Sequence, residues 1–302
     1  MTDAALVTTL PPVETPFRIF VSDFVRNKIA VSALAIIVVL ALLAIFAPWV
    51  TPQNPYDLTQ ISIFDNMLKP GEKSMDGKFF LLGSDEQGRD MLSAMIYGLR
   101  MSLFVSATAT AIALLVGVSM GVTAAYFGGR VDTAIMRLVD LQLSFPAILI
   151  ALILLAALGK GIDKVILALM LVQWAYYART VRGNALVERR REYIEAAQCL
   201  ALPRYIIIFK HLLPNCLPPL IVVATVQVAH AISLEATLSF LGVGVPITEP
   251  SLGLLISNGY KYILSGKYWV SVFPGLMLLL TILSINLVGD HLRDVLNPRL
   301  KA

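Results

Sequence analysis

Glu188-Arg189-Arg190-Arg191-Glu192, followed by Glu195-Ala196-Ala197 and closed by His211-Leu212-Leu213-Pro214-Asn215, is the one long charged interruption between the membrane-length apolar runs of this 302-residue chain. A chain this apolar keeps its connections short. A helical loop of about thirty residues bearing both signs of charge therefore predicts a docking surface outside the bilayer.

Outward from that loop, the composition is that of a polytopic membrane protein. Hydrophobic residues make up 57% of the chain and charged residues 15%, against about half and about a quarter in soluble domains. Mean hydropathy is +0.77. The net charge of +4 sits in loops, and no basic stretch is interleaved with base-stacking aromatics, so topology explains the charge and nucleic-acid binding is set aside. Cys199 and Cys216 fall in or beside the charged loop with no second cysteine or histidine at metal spacing, and they read as reduced thiols.

Six runs approach the roughly 20 apolar residues that a hydrocarbon core of about 30 Å requires. They are Ile29 to Val50, Met101 to Phe127, Ala134 to Leu158, Val165 to Thr180, Leu212 to Leu241 and Tyr268 to Gly289. The expected fold is all-α with six transmembrane helices. Its parts are an amino-terminal segment 1–28, a first helix 29–50, an extracytoplasmic loop 51–100, a five-helix core 101–290 holding the charged loop 181–211, and a tail 291–302. The first run is too long for a signal-peptide core, and Ala47-Pro48-Trp49 offers no cleavage site, so it reads as a retained span. Fifteen of the 24 Lys and Arg residues lie on the side that holds both termini, which predicts that both termini are cytoplasmic.

Within the spans, Ala109, Ala113, Gly117, Gly121 and Ala125 repeat every fourth position, a small-residue face suited to close helix approach. Arg137 and Asp140 are three apart and are expected to pair with each other. Pro146 predicts a kink or broken turn after Ser144-Phe145. Glu235 is a carboxylate inside the fifth span, with His230, Ser233, Thr237 and Ser239 nearby. It is expected to face inward in a structural or pathway-lining role, and proton coupling is the alternative. No phosphate loop, metal-binding helix motif, nucleophile elbow or dinucleotide fingerprint occurs, so ATP hydrolysis and other catalysis by this chain are not expected.

The spacing of Glu195-Ala196-Ala197 to His211-Leu212-Leu213-Pro214-Asn215 resembles the EAA loop of binding-protein-dependent ABC importer permeases. The resemblance implies a coupling element formed by Glu195, Ala196, Ala197, Ala201, Arg204, His211 and Pro214 that seats in an ATPase groove. The residues suggest two short helices, one from Glu195 and one over Arg204 to His211 ending before Pro214. The family's glycine is Ala201 here. Because alanine disfavours positive φ, a differently built turn is expected.

Leu82-Gly83-Ser84-Asp85-Glu86-Gln87-Gly88-Arg89-Asp90 is similar to the signature of dipeptide, oligopeptide and nickel permeases of the second-subunit, permease-C-like branch. Met136-Arg137-Leu138-Val139-Asp140, Leu238-Ser239-Phe240-Leu241-Gly242 and Asn286 to Asp294 extend the resemblance along nearly the whole chain. Ser251-Leu252-Gly253 departs from it, since the family has Trp where Leu252 stands. Gly83, Asp85, Gly88, Arg89 and Asp90 read as a tight polar turn touching the partner permease or the delivering protein; Arg89 argues against a calcium loop. Asp290, Arg293, Asp294 and Asn297-Pro298 read as a helix end with a cap and local ion pairs.

The resemblance implies a type I ABC importer permease fold, with 101–290 as its common core, in a bacterial inner membrane. It further implies a non-catalytic subunit that binds no cofactor and no metal, with Mg-ATP held by two cytoplasmic ATPase subunits. The other partners implied are a homologous second permease, an extracytoplasmic solute-binding protein and the lipid bilayer. Peptides are the expected cargo, with nickel chelates, glutathione-like compounds, opines or oligosaccharides as alternatives. A self-sufficient secondary transporter coupled to ions through Glu235 is the rival reading.

Overall fold

The computed structural model describes residues 16–296 apart from 58, 75, 76 and 247. Asn297-Pro298 lie outside the described residues. The described residues are mostly helical, and several helices start where a cap or a proline places them. Helix α1, Pro16–Arg26, leads to Asn27, whose side chain accepts from the amides of Ile29 and Ala30 and opens α2, Lys28–Ile45. This is an N-cap of the ordinary kind. A further turn, Ala47–Val50, follows with Pro48 in its first turn, where a missing N–H leaves nothing unpaired.

Helix α3, Met91–Phe127, has 37 residues and is capped by Asp90. It begins ten residues before the apolar run because the cap lies there, and at 1.5 Å per residue its length of about 55 Å exceeds a bilayer core. Its first turns therefore stand in the layer formed by residues 51–90. Helices α4, Gly129–Ser144, and α5, Ala147–Leu158, meet at 91°. Phe145 before the proline is extended (φ −101°, ψ 145°), as the ring of Pro146 demands. The kink expected at Pro146 is thus a full break.

Helix α6, Ile162–Glu188, is followed by α7, Glu192–Cys199, by α8, Arg204–Phe240, by α9, Leu252–Tyr260, and by α10, Trp269–Leu296. Among the described residues α2, α3, α8 and α10 are each long and apolar enough to cross a membrane, and α4 with α5 makes a fifth span if counted together. The sixth expected span lies in α6, whose 27 residues reach about 40 Å. That helix is less apolar because protein, not lipid, surrounds it: Trp174, Tyr177, Ala178 and Val181 are buried.

The small-residue face of α3 meets this central helix. A Cβ added at Gly117 would stand 2.5 Å from the Trp174 carbonyl oxygen, and one at Gly121 would stand 2.5 Å from that of Ala178. Only hydrogen fits at either place, which is how small residues bring two backbones together.

The start of α8 corrects the expectation of a second short helix. Arg204 to His211 belongs to the fifth span itself, through a π-helical stretch, Ile207–Leu212, in which the Leu213 amide reaches back to Ile208 O. Pro214 does not end the helix. It falls in the first turn after the π stretch, and Pro218 and Pro219 follow inside the helix.

Candidate functional site

The charged loop folds as a knob at the end of α6. Arg189 donates from Nη1 to the Ala125 carbonyl at the end of α3, 3.0 Å away, and its guanidinium lies 5.8 Å from the centre of the Tyr126 ring. This pins the start of the knob to α3. The Tyr193 hydroxyl donates to Glu188 Oε2 at 2.7 Å; burial, and then the Glu188 carboxylate, push that phenol up to about 12.

Helix α7 has two unlike faces. Ile194 and Ala197 are buried and pack with Ile207, Leu212 and Cys216, while Glu195 and Ala196 are exposed. The expectation that both alanines face a partner is therefore corrected. Ala197 is part of this chain's own core, because positions 194 and 197 share the helix face turned to α8.

Ala201 corrects the expectation of an altered turn. Its φ is +50°, so the left-handed turn is made by alanine. Its amide donates to Gln198 O at 2.9 Å and the Leu202 amide donates to Ala197 O at 3.2 Å. Leu202 packs with Ala197 in the same cluster. These paired bonds and that contact make a Schellman termination, which favours glycine at its left-handed position. Arg204 and Pro214 are exposed and His211 is half-buried in the π-helical stretch.

The knob also carries residues that the sequence reading passed over. Leu200 and Tyr205, on either side of the turn, are 74% and 64% exposed. Large apolar side chains exposed beside the exposed Ala196 and Glu195 give the knob an apolar tip with a charged rim. The available signal was two large apolar residues on either side of the turn Ala201-Leu202-Pro203-Arg204.

Two ion pairs hold α4 to α6. Arg182 donates from Nε and Nη2 to the two Asp132 oxygens at 2.5 and 2.6 Å, and Arg179 donates to Asp140. The expected Arg137–Asp140 pair does not form, because Asp140 is taken by Arg179 of the facing helix rather than by its own neighbour one turn back.

Glu235 is fully buried. Its Oε2 accepts from Ser102 Oγ of α3 at 2.7 Å and its Oε1 from Ser239 Oγ of α8 at 2.8 Å. The inward-facing expectation agrees with this geometry, in which the carboxyl ties α8 to α3. Beside it Leu252 is fully buried and packs with Ala44 and Leu99. At the position of the family's Trp, this chain buries an aliphatic side chain in its own interior.

The turn from Gly83 to Asp90 is likewise internal. Ser84, Asp85, Arg89 and Asp90 are at most 3% exposed, and Gly83 and Gly88 are left-handed (φ +81° and +77°). Asp85 Oδ1 accepts from the amides of Gln87 and Arg89, each at 2.9 Å, and its Oδ2 accepts from Arg89 Nε at 2.6 Å. Asp90 Oδ2 accepts from the Ser93 amide at 2.8 Å, while its Oδ1 has no partner; burial raises the pKa of this carboxyl. The expectation of a turn touching another protein is thereby corrected. Its signature side chains are spent on the chain's own backbone, leaving no open pair of carboxylate oxygens for a cation.

At the end of α10, Asp290, Arg293 and Asp294 are exposed and form no ion pair with another described residue. The local pairs expected there are absent among the described residues. His291 turns instead to α1 and its neighbour, meeting Asn27 Nδ2 and the Phe24 carbonyl.

Residues 113–302 match the model of the family described as binding-protein-dependent transport system inner membrane component. Residues 15–70 match the N-terminal TM domain of oligopeptide transport permease C. The dipeptide transport system permease protein DppC of Escherichia coli (strain K12) is 41% identical over 98% of this chain and 97% of its own length. The di/tripeptide transport system permease protein DppC of Pseudomonas aeruginosa (strain UCBPP-PA14) is 37% identical over 95% and 93%. Among solved structures, an inward-facing form of the MetNI methionine ABC transporter aligns with a TM-score of 0.55 and 22% identity, covering 68% of this chain and 97% of that one. That likeness concerns the fold. The matches favour a permease subunit over the ion-coupled secondary transporter.

Proposed function

The chain belongs to the binding-protein-dependent transport system inner membrane components, permease subunits of ABC importers in the bacterial inner membrane, and from that premise we propose that it forms half of a pathway for dipeptides or similarly small peptides. The observation that carries this reading is the knob. Arg189, Ile194 and Ala197 fasten it to α3 and α8, while Glu195, Ala196, Leu200 and Tyr205 stay exposed at its tip.

In this reading the tip seats in a groove of a cytoplasmic ATPase subunit, two of which hold Mg-ATP, and both termini of the chain are cytoplasmic. A homologous second permease completes the pathway, and a solute-binding protein delivers the peptide from the other side. The chain itself contributes shape and a moving part, and it binds no nucleotide. Its peptide cargo follows from the named cargo of its relatives.

The test is reconstitution with the second permease, both ATPases and the delivering protein in proteoliposomes. ATP-dependent dipeptide uptake is expected for the full set and none for the chain alone. Uptake by the chain alone, driven by an ion gradient, would overturn the reading. Orientation is read separately: a cysteine at Lys267 should react with an impermeant thiol reagent from outside intact cells and one at Glu188 should not, and the reverse pattern would overturn the assignment.

A further inference from the structure

Between α6, α8 and α10, at the knob end of the bundle, lies an open cavity of about 650 Å³ whose lining includes Tyr176, Pro219, Val223, Gln227, Asp290 and Arg293. Its size and its mixture of apolar wall with a few polar groups are those of a small-solute site. The charges are the unusual part. Asp290 and Arg293 are three apart on α10, a spacing at which opposite charges ordinarily pair. Yet both are exposed, and neither has a hydrogen bond or ion pair with any other described residue. At the inner end Gln227 is 8% exposed and its Oε1 has no partner. The cavity thus offers one anion, one cation and one carboxamide oxygen, none of the three satisfied by another described residue.

The separation of the two charges selects a ligand. Residues three apart on a helix hold their Cβ atoms about 5–6 Å apart, and two residues of extended peptide span about 7 Å. A zwitterion whose ammonium and carboxylate are separated by one peptide unit matches that spacing; the apolar wall at Val223 and Pro219 takes side chains without selecting among them.

We propose that this cavity is a solute-contact site on the exit side of the pathway, binding a zwitterionic dipeptide with its ammonium at Asp290 and its carboxylate at Arg293. The inference rests on the importer reading and adds to it a place in this chain where the peptide is held. Pro219 belongs to α8, which begins in the knob, so the helix that would meet the ATPase also walls the cavity. The same zwitterionic chemistry is carried by a phosphatidylethanolamine headgroup, and the experiment separates the two sources.

The assembled importer, with its ATPases and second permease, is placed in nanodiscs of phosphatidylglycerol and irradiated with a dipeptide carrying a diazirine side chain. Labelling of Tyr176 or of the Pro219 to Gln227 wall is expected, displaced by unlabelled dialanine and absent when the probe is N-acetylated and C-amidated. Asp290→Asn and Arg293→Gln should each lower the labelling about tenfold, the loss of one charge-assisted contact, while ATP hydrolysis by the complex persists. Equal labelling by the blocked probe, no labelling of the wall, or labelling indifferent to both substitutions overturns the proposal. So does labelling that phosphatidylethanolamine nanodiscs abolish and dialanine does not. Wild-type ATP-driven dipeptide uptake, measured alongside, separates the two claims: its absence counts against the importer reading, and its presence without labelling counts against this site alone.

Discussion

Replacing Ala201 by glycine tests whether the knob is terminated as its geometry implies. Alanine at φ +50° keeps its Cβ close to the following carbonyl, at a cost of about 1–2 kcal/mol that glycine does not carry. Glycine adds conformational freedom to the opened chain, which returns about 0.4–1 kcal/mol. The difference favours Ala201→Gly by about 0.5–1 kcal/mol, or roughly two- to fivefold in the equilibrium for local opening. The amides that report it are those of Ala201 and Leu202, which donate to Gln198 O and Ala197 O. Hydrogen exchange of a knob peptide from the nanodisc-embedded protein should slow by that factor in Ala201→Gly. It should quicken in Ala201→Val, since a β-branched residue is a poor occupant of positive φ. Faster exchange in the glycine variant would refute the left-handed termination and with it the assignment of Ala201 to the family's glycine position.

The two alanines of α7 should separate under the same bulky substitution. Ala197→Trp forces an indole into a packed core at a cost of typically ~1–3 kcal/mol and should lower the melting temperature, whereas Ala196→Trp should leave the melt unchanged and abolish ATPase co-purification; equal melting behaviour would contradict their assignment to opposite faces. At Glu235, leucine leaves the buried Ser102 and Ser239 hydroxyls unpaired at about 1–3 kcal/mol each, while glutamine keeps an acceptor. Ser239 Oγ also accepts from the Val245 amide, so limited proteolysis of residues 241–268 should be faster in Glu235→Leu than in Glu235→Gln, and equal rates would show that the carboxyl does not steady that segment through Ser239. Asp90, with its folded pKa raised by burial, opposes folding when ionised, and this penalty fades as pH falls through that raised value. Asp90→Asn keeps a cap acceptor, so it should be more stable than wild type at neutral pH and equal to it in mild acid. A pH-independent difference would exclude Asp90 as a titrating group.

What could be read from the sequence was set by local periodicity. The small face of α3, the break at Pro146 and the separation of the apolar runs are each written in spacing over a few turns, and the structure has them. The partner of Asp140 was not readable, because Arg179 lies on another helix and only packing brings it there. The signature turn misled for a related reason. Ser, Asp and Arg in a loop suggest a surface, yet here Arg89 and the backbone consume Asp85, and Ser84, Asp85, Arg89 and Asp90 are all buried. The two faces of α7 were within reach, since Ile194 and Ala197 are spaced by one turn, but a helix of eight residues gives too short a pattern to outweigh a motif.

The distribution of firm and soft structure along α8 bears on how a knob could move a pathway. At one end Ile194 and Ala197 pack against Ile207 and Leu212, so the knob and the first turns of α8 move together. At the other end Glu235 is tied to α3 by the Ser102 hydroxyl. Between them Pro214, Pro218 and Pro219 supply no amide hydrogen, so the carbonyls of Lys210, Pro214 and Asn215 lack their regular helical donors. The π-helical stretch just before them is already wound to a looser register, a feature that recurs where helices do work. A displacement of the knob against the Glu235 anchor would therefore fall on residues 213–219, where resistance to bending is least. Pro219 at the end of that stretch lines the cavity that Asp290 and Arg293 face. If the knob is pushed as proposed, the proline cluster would pass that push to the cavity wall while the anchored half of the helix stays in place.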